Sequence, residues 1–125
     1  MTNDALTDLA MRYFTALDAR DPDALAETLA ETCVLSIETH GLSYDGRTAI
    51  RRLFATRWQG DLHAVHHDFT HSPSQSTGRI TSQFTVTYSG PGASEPKSNC
   101  NVFTVADGLI TRIAVYMSGA NTIRT

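Results

Sequence analysis

The first part of the chain carries the pattern of two amphipathic helices. Between Asp4 and Ala19, apolar residues recur at spacings of three and four, which predicts a helix with one buried face and a cap at Asn3 or Asp4. A second helix is predicted to start at Asp21-Pro22, because aspartate caps helix N-termini and proline suits the first helical position. The apolar positions of the first helix are Leu6, Leu9, Ala10, Tyr13, Phe14 and Leu17.

A short apolar segment and a third helix follow. Residues 34–37 read Val-Leu-Ser-Ile, which is typical of a strand, and Gly41 and Gly46 bracket a loop or short hairpin. Residues 47–58 predict a helix, whose apolar side carries Ile50, Leu53, Phe54 and Trp58. The front of the chain is therefore expected to be mainly helical.

In the second half of the chain the apolar spacing changes from helical to alternating. Strands are predicted over residues 62–72, 79–88, 98–106 and 109–117. Asp107-Gly108 between the last two favours a tight hairpin. The most regular alternation puts four residues on one face of the second strand: Ile80, Phe84, Val86 and Tyr88. Together the four strands predict an antiparallel meander.

This order of elements predicts an α+β fold. A curved antiparallel sheet would wrap around three N-terminal helices as a cone-shaped barrel with a closed-ended cavity, which suits a small, mostly apolar ligand. The 125 residues match one domain, residues 1–125, and a hydrophobic fraction of 41% with 18% charged residues is typical of a globular chain.

Charge and apolar patterning argue against several kinds of partner. The formal net charge is −3, and the basic residues are scattered apart from four arginines that fit a solvated helix face: Arg47, Arg51, Arg52 and Arg57. Nucleic-acid binding needs a concentrated basic face, so no nucleic-acid partner is expected. No apolar stretch is long enough to span a membrane, and the first residues lack a signal-peptide pattern, which predicts a cytoplasmic protein without a membrane partner. Cys33 and Cys100 lack metal-type spacing and are expected to be buried thiols.

Two polar residues lie on otherwise apolar elements. Tyr13 lies on the buried face of the first helix, either as a core aromatic or as a hydrogen-bond donor to a ligand oxygen. Asn101 lies in the apolar strand segment 99–103, where an unpaired buried amide costs about 1–3 kcal/mol. It therefore either pairs with another side chain or faces a polar ligand, and Asn99 shares its face.

Four histidines crowd one predicted strand: His63, His66, His67 and His71. No Cys or Glu offers an obvious third ligand, so no metal site is predicted. A histidine could instead move a proton, because imidazole titrates near neutral pH. His66 and His67 point to opposite faces of a strand, and alternation leaves open which of them faces inward. Asp18 either ends the first helix or orients the imidazole.

Apolar and aromatic residues are expected to line the ligand site: Tyr44, Phe54, Trp58, Phe84, Val86, Phe103, Ile113, Val115 and Met117. The chain has no glycine motif for a nucleotide and no metal motif, which predicts chemistry without a cofactor.

Three stretches carry a family resemblance. They are Met11-Arg12-Tyr13 with residues 18–21, Asp45-Gly46-Arg47 with Ile50, and residues 107–110 leading into 114–117. With these features the chain resembles the SnoaL-like branch of the nuclear transport factor 2-like superfamily, which includes ketosteroid isomerase, scytalone dehydratase and polyketide cyclases. The resemblance implies a small-molecule isomerase, dehydratase or cyclase, and a homodimer formed through the outer sheet face around Thr85, Thr87, Arg112 and Tyr116.

The resemblance also implies roles for individual residues. Tyr13 falls where ketosteroid isomerase has its oxyanion donor, and Asn101 falls where that family has its second donor. The position of that family's general base falls near Ile37, which cannot move a proton, while Glu38 points to the opposite face. Scytalone dehydratase instead implies a histidine, with His67 favoured over His66 by alignment, and the acid Asp18. A non-catalytic ligand-binding or dimeric scaffold protein is the alternative.

Overall fold

Within residues 1–123, which the computed structural model describes, the chain forms three α-helices and six β-strands. The helices are α1 (Asn3–Asp18), α2 (Pro22–Glu27) and α3 (Arg47–Arg57). The strands are β1 (Leu29–Ile37), β2 (Leu42–Asp45), β3 (His63–Ser74), β4 (Arg79–Ser89), β5 (Lys97–Ala106) and β6 (Leu109–Tyr116). The predicted α+β class is confirmed, with strand ends within two residues of the predicted ones in the second half of the chain.

The strands form one open sheet in the order β2-β1-β6-β5-β4-β3. β1 pairs with β6 in parallel, and every other pair is antiparallel. The predictions of a closed barrel and of an all-antiparallel sheet are therefore wrong. β1 and β2 add a third of the sheet at the end of the predicted meander, and β2 and β3 remain its edges.

The prediction of three N-terminal helices is confirmed for α1 and α2, and the third helix follows the predicted strand segment at residues 34–37. α1 and α2 precede the sheet, whereas α3 is inserted between β2 and β3. α1 packs against β3 and β4, and α3 packs against β1 and β2. The long first helix therefore lies under one half of the sheet and α3 under the other half.

Side-chain hydrogen bonds cap the N-termini of the first two helices. Asp21 caps α2 as predicted, because its carboxylate accepts from the backbone N–H groups of Asp23 at 3.1 Å and Ala24 at 3.0 Å. α1 is capped by Thr2, not by Asn3 or Asp4 as predicted. Asn3 has a different role: its Oδ1 accepts from the backbone N–H of Gln75 at 2.9 Å, which fastens the start of α1 to the turn before β4.

Aromatic rings fill the core between α1 and the sheet. Phe14 packs its ring against Phe69 and Phe84, each at a centroid distance of 4.9 Å, and against Phe103 at 5.7 Å. Such edge and tilted contacts stabilise beyond the area that they bury. Cys33 is fully buried, as predicted, and burial raises the pKa of its thiol to about 12. Cys100 is only half-buried, contrary to prediction, because its side chain faces outward from β5.

A histidine on β3 should make stability depend on pH. The His71 ring lies 5.2 Å from the Phe69 ring, and its Nδ1 contacts Ser82 Oγ at 2.9 Å. Burial lowers the pKa of His71, so the unfolded chain takes up this proton at a higher pH than the folded chain does. The free energy of unfolding is therefore expected to fall as pH drops below the ordinary histidine pKa of about 6.5.

Urea denaturation of the parent and His71→Gln between about pH 7.5 and about pH 5.5 tests this dependence. The variant should lose less stability across this interval than the parent does. His63→Gln, at an exposed position of the same strand, is the matched control. Equal slopes for the parent and His71→Gln would contradict the prediction.

Candidate functional site

A small cavity lies between α1, the end of α3 and the concave face of the sheet. Its volume is about 60 Å³, and it adjoins a wider surface groove of about 470 Å³. The cavity alone has room for a few water molecules. The groove is open to the surface, so a ligand larger than a few water molecules would extend from the cavity into it. Six of the predicted wall residues line the cavity: Phe54, Trp58, Phe84, Val86, Val115 and Met117.

Tyr13 reaches this cavity from the buried face of α1. The residue is 1% exposed, and its ring makes edge contacts with Phe14 at 5.3 Å and Phe103 at 5.2 Å. Burial raises the pKa of its hydroxyl, and the nearby Cys33 thiol adds to the increase. The hydroxyl therefore stays protonated over the physiological pH range and can donate a hydrogen bond.

Asn101 brings an unpaired amide to the same cavity. The residue is 3% exposed, and its Oδ1 has no hydrogen-bond partner within residues 1–123. Asn99, which also lines the cavity, differs because its Oδ1 accepts from the Ser118 backbone N–H at 3.0 Å. Asn99 thus fastens the segment after β6, whereas Asn101 keeps hydrogen-bonding capacity for a ligand.

Asp18 and His66 form a hydrogen-bonded pair at the cavity wall. His66 Nδ1 lies 2.6 Å from Asp18 Oδ1, and the carboxylate also accepts from the His66 backbone N–H at 3.1 Å. Because a carboxylate only accepts, Nδ1 carries the proton and Nε2 remains an acceptor when the ring is neutral. The ring is held by Phe14 and Phe84, with both centroids 5.2 Å away.

His67, the histidine favoured by alignment, does not line the cavity. Its side chain is 41% exposed, and its Nε2 lies 2.6 Å from Thr87 Oγ1 on the outer face of the sheet. His67 lies just before a bulge in β3, because the register with β4 shifts between His67 and Thr70, and Asp68 has a φ of 55°. Ala64 and His66 point inward before the bulge, so the histidine of the cavity is His66.

Three further predicted wall residues lie elsewhere. Tyr44 is half-buried on the edge strand β2, away from the cavity. Phe103 and Ile113 are fully buried in the core and do not line the cavity. Phe103 follows Asn101 on the same face of β5, but the rings of Tyr13 and Phe14 cover it.

The two alternative acid positions cannot contribute a base to the cavity. Ile37 is fully buried in the core. Glu38 points away, and its carboxylate accepts hydrogen bonds from Ser36 Oγ at 2.8 Å and from Arg112 at 3.0 Å, which lower its pKa. Within residues 1–123, no group of three His, Cys, Asp or Glu side chains could hold a metal ion. Among the acidic and imidazole groups that the sequence suggested, the cavity therefore receives His66, with Asp18 behind it.

Several lining residues were not predicted. Arg20, which has a φ of 52°, donates to the backbone carbonyls of Trp58 at 2.7 Å and of Leu62. It thereby holds the end of α3 against the exit of α1. Arg57 and Thr122 also line the cavity, and no sequence pattern brings these distant residues together. Tyr88 could have been found, because it continues the inward face of β4.

A curved sheet over a long first helix, with a cavity between them, defines the nuclear transport factor 2-like class of proteins. Within this class, the chain belongs to the SnoaL-like domain family, which it matches over residues 10–113. None of the helices in residues 1–123 is long and apolar enough to cross a membrane.

Solved structures support this assignment of the fold. A candidate polyketide cyclase of Xanthomonas campestris is 23% identical with a TM-score of 0.80, over 93% of this chain and 92% of that one. A candidate ketosteroid isomerase of Kribbella flavida is 20% identical with a TM-score of 0.73, over 95% and 82%. An epoxide hydrolase of M. tuberculosis, similar to the LEH enzyme, is 19% identical with a TM-score of 0.74, over 93% and 84%. A search of curated protein sequences finds no match.

Proposed function

We propose that the chain is a cofactor-independent isomerase, dehydratase or cyclase that acts on a hydrophobic carbonyl or polyketide-like compound. One observation carries the proposal: His66, hydrogen-bonded to Asp18, lines the same, mainly apolar cavity as Tyr13 and Asn101. A base and two hydrogen-bonding groups in one water-poor site are the requirements for making and holding an enolate.

In the proposed reaction His66 Nε2 removes a proton from the carbon beside the substrate carbonyl. The electron pair of the broken C–H bond moves to the carbonyl oxygen, and the resulting enolate accepts hydrogen bonds from Tyr13 and Asn101. Rotation of the Asn101 amide by half a turn exchanges its oxygen and NH2, so the same residue can donate to an enolate or accept from a hydroxyl. Asp18 stabilises the imidazolium that forms.

The fate of the enolate decides the class of reaction. Where a carbon–carbon double bond is conjugated with the enolate, return of the proton from the imidazolium to the far carbon of that system gives an isomer. Loss of a β-hydroxyl group, which takes that proton and leaves as water, gives a dehydrated product. Attack of the enolate carbon on a second carbonyl of the same molecule gives a cyclised product, whose alkoxide oxygen takes the proton from the imidazolium. The names of the structural neighbours, polyketide cyclase, ketosteroid isomerase and epoxide hydrolase, support small-molecule catalysis on this fold.

A non-catalytic ligand-binding or dimeric scaffold protein is the second candidate. Ile37 stands where the ketosteroid isomerase resemblance would require a base, and this observation favours binding without turnover. A homodimer would use the outer sheet face, where Tyr116 is exposed.

Exchange of carbon-bound hydrogen separates the two candidates. The proton NMR signal beside the carbonyl of 2-tetralone is followed in D2O with and without protein, and binding is followed by the fluorescence of Trp58. Trp58 is the sole tryptophan of the chain and lines the cavity. An enzyme should accelerate exchange above the buffer rate, whereas binding without acceleration would favour the binding protein.

A further inference from the structure

The groove beside the cavity carries positive charge in a chain that is negative overall. Its lining includes Arg57 and Lys97 and no aspartate or glutamate among residues 1–123. The formal net charge of the whole chain is −3, so the groove departs from the general charge balance. Neither cation takes part in an ion pair within the described part of the chain.

Arg57 stands at the junction of the cavity and the groove, because it lines both. Its Nε donates to the backbone carbonyl of Thr122 at 2.9 Å, which fixes the plane of the guanidinium. The two terminal nitrogens of the guanidinium are then available as a planar fork that fits a carboxylate. Burial raises the pKa of the neighbouring Tyr88 hydroxyl, and the charge of Arg57 acts in the opposite direction.

Lys97 lines the same groove. Its ammonium group donates to the backbone carbonyl of Ser118 at 2.9 Å. An ammonium group has three donors, so this contact leaves two for a ligand. Two fixed cations on one groove, without a carboxylate to neutralise them, favour an anionic ligand group.

We propose that Arg57 and Lys97 form a subsite for a carboxylate of the ligand, so that the substrate is an amphipathic carbonyl acid rather than a neutral compound. This proposal rests on the proposed function for the orientation of the ligand. The carbonyl end enters the cavity toward Tyr13 and Asn101, while the carboxylate remains in the groove. Leu62 and Tyr88, which line both spaces, would contact the middle of the molecule.

A matched pair of probes measures the subsite apart from catalysis. The probes are 3-(4-hydroxyphenyl)propanoate and its methyl ester, which share a phenol that can bond with Tyr13 and Asn101. Affinities are measured by titration calorimetry with the parent protein, Arg57→Gln and Lys97→Gln. Arg52→Gln is the control, because Arg52 is exposed on α3 and does not line the groove.

The parent and Arg52→Gln should bind the acid about tenfold more tightly than the ester. Each groove variant should reduce this ratio to about twofold or less, even if loss of the Thr122 contact weakens both probes. Raising the salt from about 20 mM to about 500 mM should also reduce the ratio in the parent.

Equal affinity for acid and ester in the parent, or an unchanged ratio in both groove variants, would overturn the subsite. The affinities of the two probes do not test catalysis. The exchange assay with the neutral ketone measures catalysis separately. A protein that accelerates ketone exchange without acid preference would keep the proposed function and lose the subsite.

Discussion

Replacement of His66 with glutamine is expected to lower the rate of ketone hydrogen exchange by about 100- to 10,000-fold, the usual contribution of a general base. Glutamine can keep a hydrogen bond to Asp18 but cannot take up a proton at neutral pH. His66 is mostly buried, with 13% of its side chain exposed, and is packed between two aromatic rings. The measurement is the exchange rate at saturating ketone, together with the affinity reported by Trp58 fluorescence.

His67→Gln is the matched control, because it makes the same change one residue away on the outer face of the sheet. It should retain exchange within about twofold of the parent, as is usual for surface substitutions. Full exchange in His66→Gln, or loss of exchange in His67→Gln alone, would contradict the assignment of the base.

Asp18 should behave as a positioning residue, because it acts on the substrate only through His66. Asp18→Asn keeps the shape of the side chain but removes the charge that stabilises the imidazolium. We expect kcat to fall while KM stays close to that of the parent. A purely structural role would instead lower thermal stability and leave kcat of the folded protein unchanged.

The elements that local pattern determines could be predicted from the sequence. Helix α1 follows from apolar spacing, and Asp21-Pro22 defines the start of α2 by local hydrogen bonding. In β4 the alternation correctly predicts that Phe84 and Val86 face inward. Asn101 could be identified as a candidate site residue, because a buried polar residue in an apolar strand must pair with another side chain or face a polar ligand.

The facing of β3 could not be predicted because it depends on a backbone irregularity. Regular alternation from His63 does not predict an extra residue at Asp68. The bulge there reverses the direction in which the later side chains of β3 point. Inward positions before the bulge have even numbers, and the next ones, Phe69 and His71, have odd numbers. Alternation counted back from Phe69 and His71 without the bulge would turn His67 inward, which is the wrong face.

The part of the cavity lined by Arg20 and Arg57 could not be predicted, because segments that are distant in sequence form it. Arg20 bonds to carbonyls about 40 residues later, and Arg57 bonds to the carbonyl of Thr122. These contacts depend on how α3 lies against the sheet, which periodicity does not describe. The parallel pairing of β1 with β6 is nonlocal in the same way.

Replacement of Asn101 with leucine should separate function from stability. The amide is buried, and its oxygen has no partner within residues 1–123. Leucine has a similar size and removes the cost of burying that oxygen, so the free energy of unfolding should rise by about 1 kcal/mol. Ketone exchange should fall by about 100-fold, the usual loss when one oxyanion donor is removed. Urea denaturation and the exchange assay measure the two effects on the same preparation.

Asn99→Leu is a control with the opposite expected sign for stability. Asn99 lies two residues away on the same face of β5, but its Oδ1 accepts from the Ser118 backbone N–H. Its loss leaves that donor unpaired and should lower the free energy of unfolding by about 1–3 kcal/mol. If Asn101→Leu destabilises the protein as Asn99→Leu does, the Asn101 amide supports the fold and its proposed role toward a ligand is wrong. A gain of stability together with a loss of exchange would instead mean that the buried Asn101 amide destabilises the fold and acts on the molecule that the cavity binds.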